Sequence, residues 1–175
     1  MSNIDLVLLG LIKQKSQSAY DIKKNIEYRN IPRWVKISEQ SIYKKVLQLE
    51  SKEYIVSHKE NEGNMPDKAV YTITDKGNDY FNRLMNDISN SDVSLYLDFN
   101  IIITNLDLVD DEQKKILVSN IKSKILELKE LLNERQSHRQ HIPNVGKQMF
   151  KQQLALVETL EKWIIDFENS LKGQN

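Results

Sequence analysis

Residues 36–77 read KISEQSIYKKVLQLESKEYIVSHKENEGNMPDKAVYTITDKG. Ser38 is a good helix N-cap, because its hydroxyl can accept from the first free backbone amides. A run of about fifteen helix-compatible residues follows it. Ile42, Val46 and Leu49 recur at i, i+4, i+7 spacing and mark the inner face. Glu39, Gln40, Tyr43, Lys44 and Gln48 fall on the other faces, with Tyr43 the odd one among them. Two short β-like segments come next, 54–59 and 68–74, separated by the polar loop Asn61-Glu-Gly-Asn-Met-Pro-Asp67. In the second segment Val70, Thr72 and Thr74 alternate with Tyr71 and Ile73, the two-residue period of a strand. The loop is too long for a two-residue hairpin turn. A capped helix followed by such a hairpin is the back half of a winged helix-turn-helix, with the loop as the wing tip.

The flanking sequence supplies the front half. A nearly continuous apolar run from Ile4 to Ile12 predicts a first helix over 4–13, buried on more than one side. Ser16 or Ser18 can cap a second helix over 19–28, with Ala19, Ile22 and Ile26 as its inner stripe and Lys23, Lys24 and Glu27 facing out. Pro32 restricts Ile31 to extended conformations and stops that helix. Trp34, in the following loop, is expected to plug the top of a small core. Thr74 caps a fourth helix that runs on Tyr80, Phe81, Leu84, Met85 and Ile88.

The second half has another character. Residues 93–106 are apolar around most of a helical circumference, but fall short of the about 20 residues that cross a membrane. They are therefore expected to be buried in protein. Asp107 to Glu112 is an acidic helix start, favoured by the helix dipole. Val118, Ile121, Ile125, Leu128 and Leu132 then follow three-four spacing, as do Phe150, Leu154, Val157, Leu160 or Glu161, Ile164, Phe167 and Leu171 beyond the break at His141-Ile-Pro143-Asn. Two such seams around one turn predict an antiparallel helical hairpin, each arm about 40 Å long. The faces are wide enough to engage a second subunit as well. The fold expected is mainly α with a small β-wing. A winged helix-turn-helix domain occupies 1–90 and a helical dimerisation domain 91–175.

Charge and composition narrow the function. The net charge is zero, but residues 13–45 hold nine basic and three acidic side chains, while 75–175 hold thirteen and sixteen. A basic front on a neutral chain is the footprint of a small DNA-binding head attached to a body that does not bind DNA. There is no cysteine, which excludes disulfides and thiolate chemistry and points to a reducing cytosol. The apolar run 6–12 lacks the flanks of a signal peptide. No Gly-rich phosphate loop or nucleophile motif is present. His138 and His141 have a spacing that could hold a metal, but no acidic or thiol partner adjoins them, and a solvated helix end accounts for them. No enzyme, cofactor or metal is expected.

Taken together, Leu8-Leu-Gly-Leu-Ile, Ser18-Ala-Tyr-Asp-Ile-Lys-Lys, Trp34, Ser38-Glu-Gln-Ser-Ile-Tyr, Leu47-Gln-Leu-Glu-Ser-Lys-Glu-Tyr-Ile and Val70-Tyr-Thr-Ile-Thr-Asp-Lys-Gly resemble the PadR family of bacterial transcriptional regulators over residues 4 to 88. The long second half resembles the form of that family with a full C-terminal dimerisation domain. The chain departs from the pattern at Lys44, where the family has Pro, and at Glu39-Gln40, where it has Pro-Gly. Its wing keeps Pro66 but leaves Lys68 as the one basic residue beside Glu60, Glu62 and Asp67. The resemblance implies a dimeric repressor that releases DNA when a small aromatic or amphipathic molecule binds. Trp34, Tyr80, Phe81, Phe99 and Trp163 are candidates to line such a site, each of them also suited to a core.

In a winged helix the third helix enters the major groove, and helix ends and wing hold phosphates. The expected DNA contacts are Ser38, Gln40, Ser41, Tyr43, Lys44 and Lys45 on helix three, Tyr20, Lys23 and Lys24 on helix two, and Lys68 at the wing. Gln40 suits adenine in bidentate fashion. No Arg occurs between Ser38 and Lys76, so the commonest guanine contact is missing and the expected operator is an A·T-rich palindrome. The alternative from another class is a winged-helix interaction or scaffold module that binds no DNA.

Overall fold

The computed structural model describes residues 2–33, 35, 37–60, 68–138 and 141–172. Trp34 and the loop 61–67, to which the plug and wing-tip expectations attach, lie outside them. The chain divides into two compact units, residues 1–94 and 95–175.

The first unit runs α1 (Asn3–Gln14), β1 (Gln17–Ser18), α2 (Ala19–Tyr28), a 3-10 turn at Ile31–Arg33, α3 (Glu39–Ser51), β2 (Ile55–Glu60), β3 (Lys68–Ile73) and α4 (Asp75–Ser89). Its four long helices begin where a side chain can satisfy the free amides of the first turn. Ser2 accepts from Asp5 N, Ser18 from Asp21 N, Ser38 from Ser41 N and Thr74 from Gly77 N. Between the two serines proposed for α2, it is Ser18 that caps it, in a reciprocal box with Asp21. The hydrogen bond from Ser18 holds the Asp21 carboxyl below its ordinary pKa.

The core explains the apolar run at the N-terminus. Leu8, Leu9, Leu11 and Ile12 of α1 are all buried, because α1 packs against α2, α3, α4 and β3 rather than against one neighbour. Ile22 and Ile26 of α2, Ile31 of the 3-10 turn, Ile42, Val46 and Leu49 of α3, Ile55, Tyr71 and Leu84 complete the cluster. The three inner positions of α3 are those set by its spacing.

The sheet has three strands among the described residues, in the order β1-β3-β2. β2 and β3 are antiparallel, from Ile55 opposite Ile73 to Glu60 opposite Lys68. On the other edge Gln17 and Ser18 pair with Tyr71 and Val70. The sequence showed only a polar break at that third strand, since two residues carry no periodicity. Gln17 is buried there, and its amide donates to Leu11 O at 2.8 Å and accepts from Asn25 at 2.7 Å.

Two backbone positions join α3 to β2 and α4. Glu53 takes φ 61°, and the amides of Glu53 and Tyr54 turn back to the carbonyls of Glu50 and Leu49, closing α3 in a left-handed cap. Gly77 in the first turn of α4 faces the Tyr54 carbonyl so closely that a Cβ there would lie 1.9 Å from its oxygen. Thr74 binds the same carbonyl through its amide at 3.1 Å and its hydroxyl at 3.1 Å. The start of α4 is thus fastened to the end of α3.

The second unit holds α5 (Asn100–Ile103), a 3-10 turn at Leu106–Leu108, α6 (Asp111–Ser137) and α7 (Asn144–Lys172). Residues 93–106 do not form the buried helix expected of them. Only α5 is helical, and Val93 and Tyr96 are 94% and 88% exposed in the single chain. Near-uniform apolarity gives such a segment no preferred face for this chain to cover. Asp110 caps α6 through Gln113 N. Val118, Ile121, Ile125 and Leu132 meet Val157 and Ile164 in the core of this unit, whereas Leu128 is exposed. Lys122 pairs with Glu168 at 2.6 Å, and Lys129 pairs with Glu161. A step of seven forward along α6 matches a step of seven back along α7, so the hairpin is antiparallel.

Candidate nucleic-acid interface

The inward residues of α3 determine what it shows to solvent. With Ile42, Val46 and Leu49 buried, Gln40, Tyr43, Lys44, Leu47 and Gln48 are exposed on the far side. Ser38 and Ser41 stand at the start of the helix, where their hydroxyls serve the cap. Ser38 N donates to Ser41 Oγ at 2.9 Å, and Ser41 Oγ donates to the Ser38 carbonyl at 2.6 Å. Ser38 remains exposed at the end of α3 where backbone amides and the helix dipole favour an anion. Lys44 is exposed and, among the described residues, makes no ion pair.

Lys23 and Lys45 are placed differently from Lys44. Lys23, on α2, meets Glu39 at the head of α3 at 2.5 Å and Glu27 at 3.9 Å. The bond to Glu39 raises its pKa, with Glu27 and the nearby Tyr43 adding to it. Lys23 thereby cancels the charge of Glu39 at the start of α3. Lys45 turns inward, its ammonium 3.1 Å from Oδ1 of the buried Asp5. It lies on the flank of α3, toward α1, and not on the outward face with Lys44.

Tyr20 is exposed at the start of α2, and the Lys24 ammonium sits 4.5 Å from the centre of its ring. The adjacent Tyr20 raises the Lys24 pKa. Lys68 begins β3 close enough to Asp21 for its charge to lower that carboxyl further. The start of α2 from Ser18 to Asp21, with Lys68, Ala69 and Tyr71, lines a shallow groove of about 470 Å³. The structure thus gathers Tyr20, Lys24 and Lys68 at one place, and Ser38, Gln40, Ser41, Tyr43 and Lys44 along α3, with Lys23 between them.

The described aromatic candidates for a ligand are divided between the two units. Tyr80 belongs to the first unit, where its ring stacks on Tyr54 at 4.3 Å and its hydroxyl donates to Asp5 Oδ2 at 3.1 Å. Phe81 packs against the same core. Phe99 and Trp163 come together in the second unit, stacked at 5.6 Å, and Phe167 also stacks on Trp163 at 5.6 Å. Among the described residues no group of three or more potential ligand side chains could hold a metal, and no helix is long and apolar enough to cross a membrane.

Two residues escaped the sequence reading. Leu47 is 61% exposed on the outward face of α3, in line with Gln40 two turns earlier; its position in the spacing could have shown this. Asp5 is an acid inside the apolar run from Ile4 to Ile12, and that contrast was its signal.

A helix-turn-helix head with a strand-paired wing and a helical hairpin body defines the class: a winged-helix protein with a separate α-helical domain. Residues 8–83 match the family of transcriptional regulators described as PadR-like, and the chain carries a PadR-like domain there. Members of that family are transcriptional regulators, not enzymes. Among solved structures the chain is similar to Bacillus subtilis PadR in complex with operator DNA, with a TM-score of 0.83, 16% identity and cover of 97% of this chain and 99% of that one. The same protein in complex with p-coumaric acid matches with a TM-score of 0.76 and 14% identity over 98% of each chain. The PadR-like regulator BC1756 from Bacillus cereus matches with a TM-score of 0.74 and 23% identity, covering 99% of this chain and 100% of that one. These likenesses extend the shared fold over both units. A search of curated proteins finds no match to this chain.

Proposed function

We propose that this protein is a DNA-binding transcriptional regulator, a homodimeric repressor acting in the cytoplasm and released from its operator by a small aromatic or amphipathic molecule. The observation that carries the reading is the outward face of α3. Gln40, Tyr43 and Lys44 stand there exposed, while the inner face is fixed by Ile42, Val46 and Leu49 and the helix start by a complete capping box. Gln40 offers the paired donor and acceptor that match an adenine edge. Tyr20, Lys24 and Lys68 form a second patch suited to phosphates. The B. subtilis relative of the same fold was solved with operator DNA, which supports this use of the head.

The operator is an A·T-rich palindrome read by two copies of α3. The effector site draws on the aromatic residues of the second unit, with the stacked Phe99 and Trp163 as its nucleus. The p-coumaric acid complex of the relative supports a small aromatic ligand. Selection of duplexes from a random pool by the purified protein tests the operator: enrichment of A·T-rich palindromes is expected, and G·C-rich sites would contradict it. Absence of binding even at low salt would favour the scaffold reading, to which the weak basicity of the wing is suited.

A further inference from the structure

One polar cluster of the head stands apart from the DNA-facing patches. Asp5 is buried, 5% exposed, in the first turn of α1. Its Oδ2 accepts from the Tyr80 hydroxyl of α4 at 3.1 Å. Its Oδ1 lies 3.1 Å from the Lys45 ammonium of α3 without an aligned hydrogen bond, so that oxygen is held by charge rather than by a directed donor. The Tyr80 ring stacks on Tyr54, the residue that closes α3, and the Arg83 guanidinium lies 5.1 Å from the centre of the Tyr80 ring. One residue of α4 therefore touches α3 at its end through Tyr54, and at its middle through Asp5 and Lys45.

We propose that Asp5 is a positioning residue for DNA recognition: through Lys45 and Tyr80 it sets the orientation of α3 on the head, and with it the register of Gln40, Tyr43 and Lys44 against base edges. The proposal rests on the reading of the head as a DNA binder. Apolar side chains pack with little angular preference, whereas a buried carboxylate between an ammonium and a phenol is satisfied in few arrangements. Buried ion pairs add little net stability over apolar replacements of the same volume, but they can select one geometry. The cluster also gives Lys45 a role other than phosphate contact. It joins α3 to α4, the last helix of the first unit.

The test uses the full-length protein with a duplex that it has itself selected from a random pool, and a scrambled duplex as reference. Lys45→Met, Tyr80→Phe and the double variant Asp5→Asn/Lys45→Met are compared, each after a thermal melt. The double variant leaves no charge buried alone. The proposal expects the ratio of specific to scrambled affinity to fall about tenfold in Lys45→Met and in the double variant, the loss of roughly one base-pair match. Tyr80→Phe loses part of that ratio. The slope of log affinity against log salt stays at the wild-type value in all three. A slope shallower by about 0.9 in Lys45→Met would assign Lys45 to a phosphate and overturn the proposal. An unchanged ratio in a double variant that melts like the wild type would also overturn it. If the double variant does not fold, Tyr80→Phe, which removes only a hydroxyl, decides: an unchanged ratio there rejects the proposal. A wild-type protein that selects no sequence removes the DNA reading itself, an outcome visible before any variant is made.

Discussion

At the scale of single residues, the proposed reading of bases and holding of phosphates would fall to different side chains, and the two can be separated by measurement. Gln40→Ala should weaken binding to the selected duplex by about 1–3 kcal/mol and leave the scrambled duplex nearly unaffected, because the loss is confined to a base edge. Lys44→Ala should weaken both and lower the salt slope by about 0.9, since a phosphate contact carries no sequence information. Fluorescence anisotropy over a salt series distinguishes them. Tyr80 gives a prediction in pH. Burial, and secondly the Asp5 charge, push its hydroxyl up to about 12 from an ordinary 10. The folded state therefore keeps the proton that the unfolded state releases first. The stability from this group is fully present below pH 10 and is lost as pH rises from 10 toward 12. Denaturant melts should show that fall, and Tyr80→Phe should make it shallower. The sequence displayed the outward residues of α3 because helical spacing fixes them once the inner face is known. It did not display the inward turn of Lys45 or the burial of Asp5. Both depend on α1 crossing α3, a contact between residues forty positions apart that no local period records.

At the scale of elements, the join between α3 and α4 concentrates the backbone demands. Glu53 occupies a left-handed conformation that costs a side-chain-bearing residue about 1–2 kcal/mol. Its ion pair with Lys76 at 2.7 Å is largely exposed and offsets little of that. Glu53→Gly should raise the stability of the head by about 0.5–1 kcal/mol in a denaturant titration, after the greater backbone entropy of glycine is subtracted. Gly77→Ala should act in the opposite direction. Its methyl would meet the Tyr54 carbonyl, and either α4 or the end of α3 must shift, at about 1–3 kcal/mol or more. A melt that left Gly77→Ala unchanged would contradict the close approach of the two elements. Caps and inner stripes were legible in the sequence, because each is written within one helix. The strand at Gln17–Ser18 and the irregular course of 93–106 were not. The first is held by Gln17 reaching Leu11 O and Asn25, and the second has apolar residues on every side and so no face to choose.

At the scale of the whole molecule, the exposed apolar residues belong with the proposed dimer. Val93, Leu95, Tyr96, Ile101 and Leu108 are exposed in the single chain, and exposed apolar residues grouped in one short segment are suited to an interaction surface. We take them, with the outer faces of α6 and α7, as the surface covered by a second copy. Light scattering at micromolar concentration should therefore give twice the chain mass, and Tyr96→Lys should lower it; a monomeric wild type would refute the dimer. Two-fold symmetry would set two α3 helices about 34 Å apart, one turn of B-DNA.

The most direct test of the central claim, that this head binds DNA, is a gel shift of the purified protein against duplexes from its own promoter region at low and moderate salt, with scrambled duplex as competitor. The account predicts a discrete complex that survives competitor at low salt and weakens steeply at moderate salt, protecting an A·T-rich palindrome. A protein that forms no complex with any duplex even at low salt would contradict it.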